Sequence, residues 1–185
     1  MRSRSRTSSS ANTLRVEDEF RPRPVLDALV RHGVDFVLIG GLAGVIHGSA
    51  YPTYDVDVVY GRSAKNLERL ADALRELEAT LRGAPKDLPL LLDARTLAAG
   101  QNFTFETKYG KLDVLGDPAG APRYETLRAD ASQEEVDGLV VAVASIDHLI
   151  AMKEAAGRTK DRLMATEYRV LADEIRRGEA EARGR

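Results

Sequence analysis

The spacing of apolar residues predicts a chain in which helices and strands alternate. Several segments place apolar side chains every three or four residues, which is the spacing of one helix face. These predicted helices cover residues 24–32, 42–47 and 64–81. Short apolar or alternating runs lie between them and predict strands. The predicted strands cover residues 34–39, 55–60, 88–92, 103–107, 111–115, 134–136 and 139–143.

Turn and cap residues complete this arrangement. Lys108-Tyr-Gly110 predicts a hairpin turn, and Ser145 caps a helix that reaches about residue 156. Gly157 ends that helix, and Thr159 caps a last helix that reaches about residue 177. We therefore expect an α/β (α+β) domain over residues 21–177, with a mixed central sheet flanked by helices and a small C-terminal helical segment from about residue 145.

The two ends of the chain are predicted to lie outside this domain. Residues 1–20 are rich in Arg and Ser and form either a flexible start or a basic arm that contacts RNA phosphates. Residues 178–185 are charged and are expected to form a flexible tail. The 185 residues are 43% hydrophobic and 30% charged, which suits one globular domain.

Composition narrows the chemistry only a little. The chain has no cysteine, which excludes disulfides, thiolate metal sites and cysteine nucleophiles. This is compatible with the cytoplasmic location that we expect. No run of 18 apolar residues occurs, so we expect no membrane partner. The net charge of −2 neither requires nor excludes a nucleic-acid partner.

Three carboxylates on predicted strands are the strongest chemical signal. Asp55 and Asp57 are two residues apart, so both point to the same face of one strand. Two like charges this close repel each other unless a cation lies between them. Asp113 lies on another predicted strand and can supply a third ligand. Carboxylates and phosphate oxygens are the ligands that Mg²⁺ prefers, so the three acids predict a metal site.

A glycine pair precedes the acids. Gly40 and Gly41 lie where a predicted strand ends and a helix begins, and backbone N–H groups at such a junction attract phosphate. Ser49 can add a hydroxyl contact. Either feature alone is more typical of a turn, whereas a strand, Gly-Gly, a helix and two acidic strands in succession predict a pocket for a metal and a triphosphate.

The pattern of Gly40-Gly41, thirteen residues, then Asp55-Val-Asp57-Val resembles the signature of the DNA polymerase β-type nucleotidyltransferase superfamily. The resemblance implies the nucleotidyltransferase fold and an enzyme that uses Mg²⁺ or Mn²⁺. Such an enzyme moves NMP from an NTP to an acceptor hydroxyl and releases pyrophosphate. Asp55, Asp57 and Asp113 would be catalytic metal ligands, and the glycines would contact the nucleotide.

Residues 145–161 resemble a segment of small bacterial nucleotidyltransferases, among them the AbiEii-type toxins. The resemblance implies that Lys153 and Asp161 belong to the active site, with Lys153 on the nucleotide phosphates. Arg158 and Lys160 would bind triphosphate or RNA phosphate. The alternative is a solvated pair of helices with charges four residues apart.

The acceptor stays open at this level. The resemblance implies the toxin of a toxin–antitoxin system, with tRNA 3′ ends as acceptor and a cognate antitoxin as partner. Tyr51 stands where many relatives carry an arginine, which weakens any choice of substrate. An antibiotic, a partner protein, and a non-catalytic module that binds nucleotide are the alternatives.

Overall fold

The structure, a computed structural model, describes residues 20–85 and 92–184. Within this part the strands are β1 (Phe36–Ile39), β2 (Asp55–Tyr60), β3 (Thr80–Leu81), β4 (Asn102–Thr107), β5 (Gly110–Leu115), β6 (Ser132–Val136) and β7 (Leu139–Val143). The helices are α1 (Pro22–Arg31), α2 (Gly40–Ile46), α3 (Ala64–Glu76), α4 (Ala94–Ala99), α5 (Tyr124–Ala129), α6 (Ile146–Ala156) and α7 (Thr159–Arg183). None of the helices in these ranges is both long and apolar enough to span a membrane.

The strands form one mixed sheet in the order β3-β4-β5-β2-β1-β7-β6. β2 pairs in parallel with β5, and β1 pairs in parallel with β7. The other neighbouring strands are antiparallel. The predicted α/β class with a mixed central sheet is therefore confirmed. This strand order puts β2, the strand that carries Asp55 and Asp57, directly beside the strand that carries Asp113.

The two faces of β2 and β5 differ sharply. Val56 and Val58 of β2, and Leu112 and Val114 of β5, are fully buried in the core. The residues between them point to the opposite face, because successive side chains in a strand alternate. That opposite face carries the acids and is only partly covered. The fold therefore presents acidic side chains on a rigid strand pair whose other face is buried.

Most predicted elements are confirmed, but the third helix is shorter than expected. The sequence predicts it over residues 64–81, whereas α3 ends at Glu76. Glu78 adopts a left-handed conformation with φ of 54°, which turns the chain out of the helix. Thr80 and Leu81 then pair with β4 as the edge strand β3. Tertiary pairing overrides the helical spacing of the apolar residues here.

Two short helices were missed, and one predicted strand cannot be compared fully. α4 begins after Asp93, whose side chain accepts a 2.7 Å hydrogen bond from the Thr96 N–H. α5 has six residues, too few for a periodic signal. The strand predicted over residues 88–92 falls outside the described residues except for Leu92, which belongs to no strand.

The C-terminal helices follow the prediction with two corrections. Gly157 ends α6 in the left-handed conformation, with φ of 68°. Thr159 was expected to cap the last helix, but it is the first helical residue, and Arg158 precedes it without a side-chain cap. α7 continues to Arg183, through residues expected to form a flexible tail. Gly178 does not stop it, because a helix tolerates one glycine at a cost of about 1 kcal/mol. Of the arm predicted over residues 1–20, only Phe20 lies in the described part.

Candidate metal and nucleotide site

The three predicted acids meet on the partly covered face of the sheet. Asp57 and Asp113 are direct partners in the parallel pairing of β2 with β5. Asp55 is two residues before Asp57 on the same face. Each carboxylate offers an oxygen, and these oxygens lie within 4.8 Å of one another. Register and strand alternation together thus convert three sequence positions into one cluster.

The electrostatics of this cluster fit a divalent cation. Burial, followed by the charges of Asp55 and Asp113, raises the pKa of Asp57 to about 7. Burial also raises the pKa of Asp113, although Arg82 opposes the shift. Oxygen ligands held this close, with ionisation disfavoured in the metal-free protein, are the donor set that Mg²⁺ or Mn²⁺ would stabilise. The described residues therefore fit the predicted metal.

Gly40 and Gly41 pack directly against the acidic strand. Gly40 has φ of 70°, and a Cβ there would lie 2.0 Å from an Asp57 carboxylate oxygen. A Cβ on Gly41 would lie 2.6 Å from the hydroxyl of Thr53, which itself donates a 3.0 Å hydrogen bond to Asp55. The Gly41 N–H also favours the ionised form of Asp57. In the structure the two glycines leave space for Asp57 and for Thr53, which holds Asp55. The sequence analysis predicted a phosphate contact for the glycines but not this role.

A cationic wall stands on the α6–α7 side of the acids. Asp161, in the first turn of α7, is 3% exposed. Its carboxylate accepts hydrogen bonds from Arg158 Nε at 2.6 Å and from Lys153 Nζ at 3.4 Å. Burial opposes the ionisation of Asp161, but these two cations outweigh it and lower its pKa. Gly157 makes the turn that brings the end of α6 and the start of α7 to this point.

Arg82 is a site residue that the sequence analysis did not predict. It follows β3 directly and forms an ion pair with Asp113. Asp113 is thereby held between its strand neighbours and a cation from the sheet edge. The sequence gives little signal for Arg82, because the segment was predicted to be the end of a helix. Its position depends on the turn at Glu78, which is a tertiary feature.

Most of the predicted site residues line one cleft of about 520 Å³. The cleft brings together Gly41, Asp55, Asp57, Asp113, Lys153, Arg158, Lys160 and Asp161, with Arg82 and Lys111 in addition. Gly40 lines an adjoining cavity. Ser49 is not brought to the cleft. Its hydroxyl donates a 2.8 Å hydrogen bond to Glu167 of α7, which secures the loop before β2.

Solved nucleotidyltransferases share this fold. The lincosamide antibiotic adenylyltransferase LnuA, in a lincomycin-bound structure, matches with a TM-score of 0.55 and 13% identity over 81% of this chain and 95% of LnuA. ANT(2")-Ia, in complex with adenylyl-2"-tobramycin, matches with a TM-score of 0.52 and 13% identity over 87% of this chain and 91% of that one. No protein-family model matches the chain, and no curated protein matches its sequence. At this identity the likeness establishes the nucleotidyltransferase fold, and function has to be argued from the site.

Proposed function

We propose that the protein is a nucleotidyltransferase that depends on Mg²⁺ or Mn²⁺. It moves NMP from an NTP to an acceptor hydroxyl and releases pyrophosphate. The observation that carries the proposal is the cluster of Asp55, Asp57 and Asp113, whose oxygens lie within 4.8 Å of one another on two parallel strands. The shared nucleotidyltransferase fold supports it.

Each residue has a role that follows from its position. The three acids would hold the metal, which when bound offsets negative charge on the reacting phosphate. Lys153, Arg158 and Lys160 bind the triphosphate as cations along one side of the cleft. Asp161 orients Lys153 through their 3.4 Å contact. The acceptor oxygen forms its bond to the α-phosphorus as its proton leaves with the help of Asp113, and the bond to pyrophosphate breaks.

The charge of the cleft supports a polyanionic acceptor. Among the described residues, its lining has five cationic side chains and four carboxylates, and three of those carboxylates are the proposed metal ligands. Arg82 and Lys111 act on the charge of Asp113, whereas Lys153, one of the cations assigned to the triphosphate, acts on that of Asp57. Cations at this position would attract phosphodiesters and repel a polyamine.

We therefore propose a tRNA 3′ end as the acceptor. The resemblance of residues 145–161 to AbiEii-type enzymes supports a cytoplasmic toxin of a toxin–antitoxin pair, neutralised by a cognate antitoxin protein. An antibiotic is the second candidate, because the folds of LnuA with lincomycin and ANT(2")-Ia with adenylyl-2"-tobramycin resemble this one. A partner protein is the third candidate acceptor, and label on protein in the assay below would favour it.

The test is incubation of the purified protein with Mg²⁺ and each α-labelled NTP, with bulk tRNA, lincomycin, tobramycin or no added acceptor. We expect label on tRNA, and loss of that label in Asp55→Asn. Asp72→Asn, which changes an exposed carboxylate of α3, is the matched control and should behave as wild type. Label only on an antibiotic or on protein would overturn the tRNA assignment. Absence of transfer to every acceptor would overturn the enzyme.

The acceptor side of the cleft can be tested separately. Lys111→Gln should raise the KM for tRNA several-fold and leave the KM for NTP unchanged, because Lys111 acts on Asp113 and does not line the second cavity that Lys153 and Arg158 also line. Lys65→Gln on the exposed surface of α3 removes the same charge elsewhere and should change neither constant. Equal changes in both KM values would contradict the separation of the two sides.

A further inference from the structure

A second cavity adjoins the metal cleft and differs from it in character. It has a volume of about 280 Å³ and shares Asp57, Lys153, Arg158 and Asp161 with the cleft. The rest of its wall is mostly aliphatic. Strand ends, the loop after β5, and α6 supply Ile39, Leu115, Pro118, Ala119, Leu149 and Met152. The four shared residues thus lie between a polar cleft and a cavity whose remaining wall is mostly aliphatic.

The outer wall of this cavity is held firmly in place. Gly120 has φ of 78°, and a Cβ there would lie 2.5 Å from the Ala151 carbonyl oxygen, so the loop lies tightly against α6. The Asn102 side-chain oxygen accepts hydrogen bonds from the N–H groups of Gly116 at 3.1 Å and Asp117 at 3.3 Å. The loop is therefore fixed both to α6 and to the start of β4.

The same contacts settle the orientation of the Asn102 amide. Two N–H donors identify the atom that faces them as the oxygen, so the NH₂ group points the other way. Within the described residues, that NH₂ group has no protein acceptor. Asn102 is exposed and contributes to the cavity wall, so its NH₂ group is available to donate a hydrogen bond to a ligand there. A mostly aliphatic wall with a few polar groups is typical of a site for a small organic ligand.

We propose that this cavity binds the base of the donor nucleotide, with Asn102 donating a hydrogen bond to it. The proposal rests on the proposed function, since it assigns a second half to the same site. A nucleotide has a flat base with apolar faces and a highly charged tail. The two cavities match these halves, because one is aliphatic and the other is lined by acids and cations. Met152 supplies a polarisable thioether, which packs well against a ring.

The shared wall identifies the base as that of the NTP. The residues common to the two cavities include Lys153 and Arg158, the cations assigned to the triphosphate. Asp113, Arg82 and Lys111, on the side assigned to the acceptor, line only the polar cleft. A ligand whose charged end lies on Lys153 can place its base in the apolar cavity without crossing the acceptor side.

The test measures binding in the absence of any acceptor. Isothermal titration with Mg²⁺ compares ATP, CTP, GTP and UTP with inorganic tripolyphosphate, which has the charge but no base. We expect wild type to bind its preferred NTP about tenfold or more tightly than tripolyphosphate. Ala119→Trp fills the cavity from an exposed loop position and should remove about tenfold of that affinity, with tripolyphosphate binding unchanged. Ala182→Trp on the exposed end of α7 is the control.

Asn102→Asp refines the test, because it keeps the oxygen that holds the loop and removes the NH₂ donor. We expect NTP affinity to fall about fivefold more than tripolyphosphate affinity, the effect of one neutral hydrogen bond, because the added charge acts on both ligands. Gln133→Glu adds the same charge on exposed β6 as a control. Equal affinity of wild type for NTP and tripolyphosphate would overturn the proposal, as would an Ala119→Trp effect confined to the KM for tRNA. The binding assay contains no acceptor and so does not depend on catalysis. Base-dependent binding by a protein that transfers no NMP in the labelling assay would contradict the proposed function but not the base site.

Discussion

The two faces of the β2–β5 strand pair differ in what they contribute to the protein. On one face Val56, Val58, Leu112 and Val114 are fully buried and contribute to the core. On the other, Asp55, Asp57 and Asp113 crowd like charges together, and the pKa of Asp57 rises to about 7 through burial and its acidic neighbours. Residues adjacent in sequence, such as Leu112 and Asp113, should therefore respond to substitution in opposite ways. Stability depends on one face and chemistry on the other.

The largest expected effect is on the acidic face. Asp57→Asn should reduce nucleotidyl transfer by about 10³-fold, because loss of a metal ligand removes several kcal/mol of transition-state stabilisation. The same change should raise the melting temperature of the metal-free protein, since it removes like-charge repulsion between buried groups. Turnover and thermal unfolding measured on one preparation check both halves. A variant that is inactive and also less stable would contradict the comparison.

The neighbouring core face should show the reverse. Leu112 is fully buried, so Leu112→Ala leaves a cavity in the core. The free energy of unfolding should fall by about 2–5 kcal/mol. Chemical denaturation measures the loss. Below the unfolding transition, turnover per folded molecule should stay close to that of wild type. A large fall in turnover with stability intact would show that the two faces are not separable.

The pH dependence of stability tests the acidic face alone, because a change of pH leaves the packing of the core face unaltered. The pKa of Asp57 is raised in the folded state from an ordinary value of 3.8 to about 7, so the folded protein keeps a proton that the unfolded chain loses. Stability of the metal-free protein should therefore fall as pH rises from about 4 to 7, by at most about 1.4 kcal/mol per pH unit for this proton. Unfolding in EDTA at several pH values measures the slope. Asp57→Asn should flatten it, and an unchanged slope would contradict the assignment.

The smallest expected effect lies at the junction of the faces. Gly40→Ala places a Cβ at φ of 70° and against the Asp57 carboxylate, and should cost about 1–2 kcal/mol of stability. Displacement of Asp57 should also reduce turnover. Gly178→Ala is the matched control, because Gly178 lies in α7 with nothing within 4 Å of the added Cβ. That change should stabilise the protein by about 0.5–1 kcal/mol with turnover unchanged.

These faces also show what the sequence could predict. Alternation along residues 55–60 and 111–115 was enough to predict two strands with acids on one face, because that signal is local. The mixed sheet and the α6–Gly157–α7 turn followed from patterning and caps. The register that makes Asp57 and Asp113 direct partners is set between distant strands. The sequence therefore allowed the expectation that the acids lie close together, but it did not give the register that pairs Asp57 with Asp113.

Two positions show why local patterns did not indicate their partners. Arg82 reaches Asp113 only because α3 ends early at a left-handed residue, Glu78, and the chain joins the edge of the sheet. Helical spacing predicted the opposite, since Leu77 and Leu81 fit either element. Ser49 also has a partner that is distant in the sequence. Its place in the loop suggested a phosphate contact, but Glu167 of α7, 118 residues away, takes its hydroxyl. Long-range partners decided both cases.

The interior position of β1 in the sheet bears on the order in which the strands assemble. β1 joins β2 on one side and β7, about a hundred residues later, on the other. The Lys153–Asp161 wall follows β7 directly in the chain. Pairings between distant segments are slow to form, because a large loop must close first. The acids of β2 and β5 can therefore associate before β7 joins β1, whereas the cations that would bind the triphosphate arrive with the last third of the chain. Activity should begin late in refolding, after most of the sheet has formed.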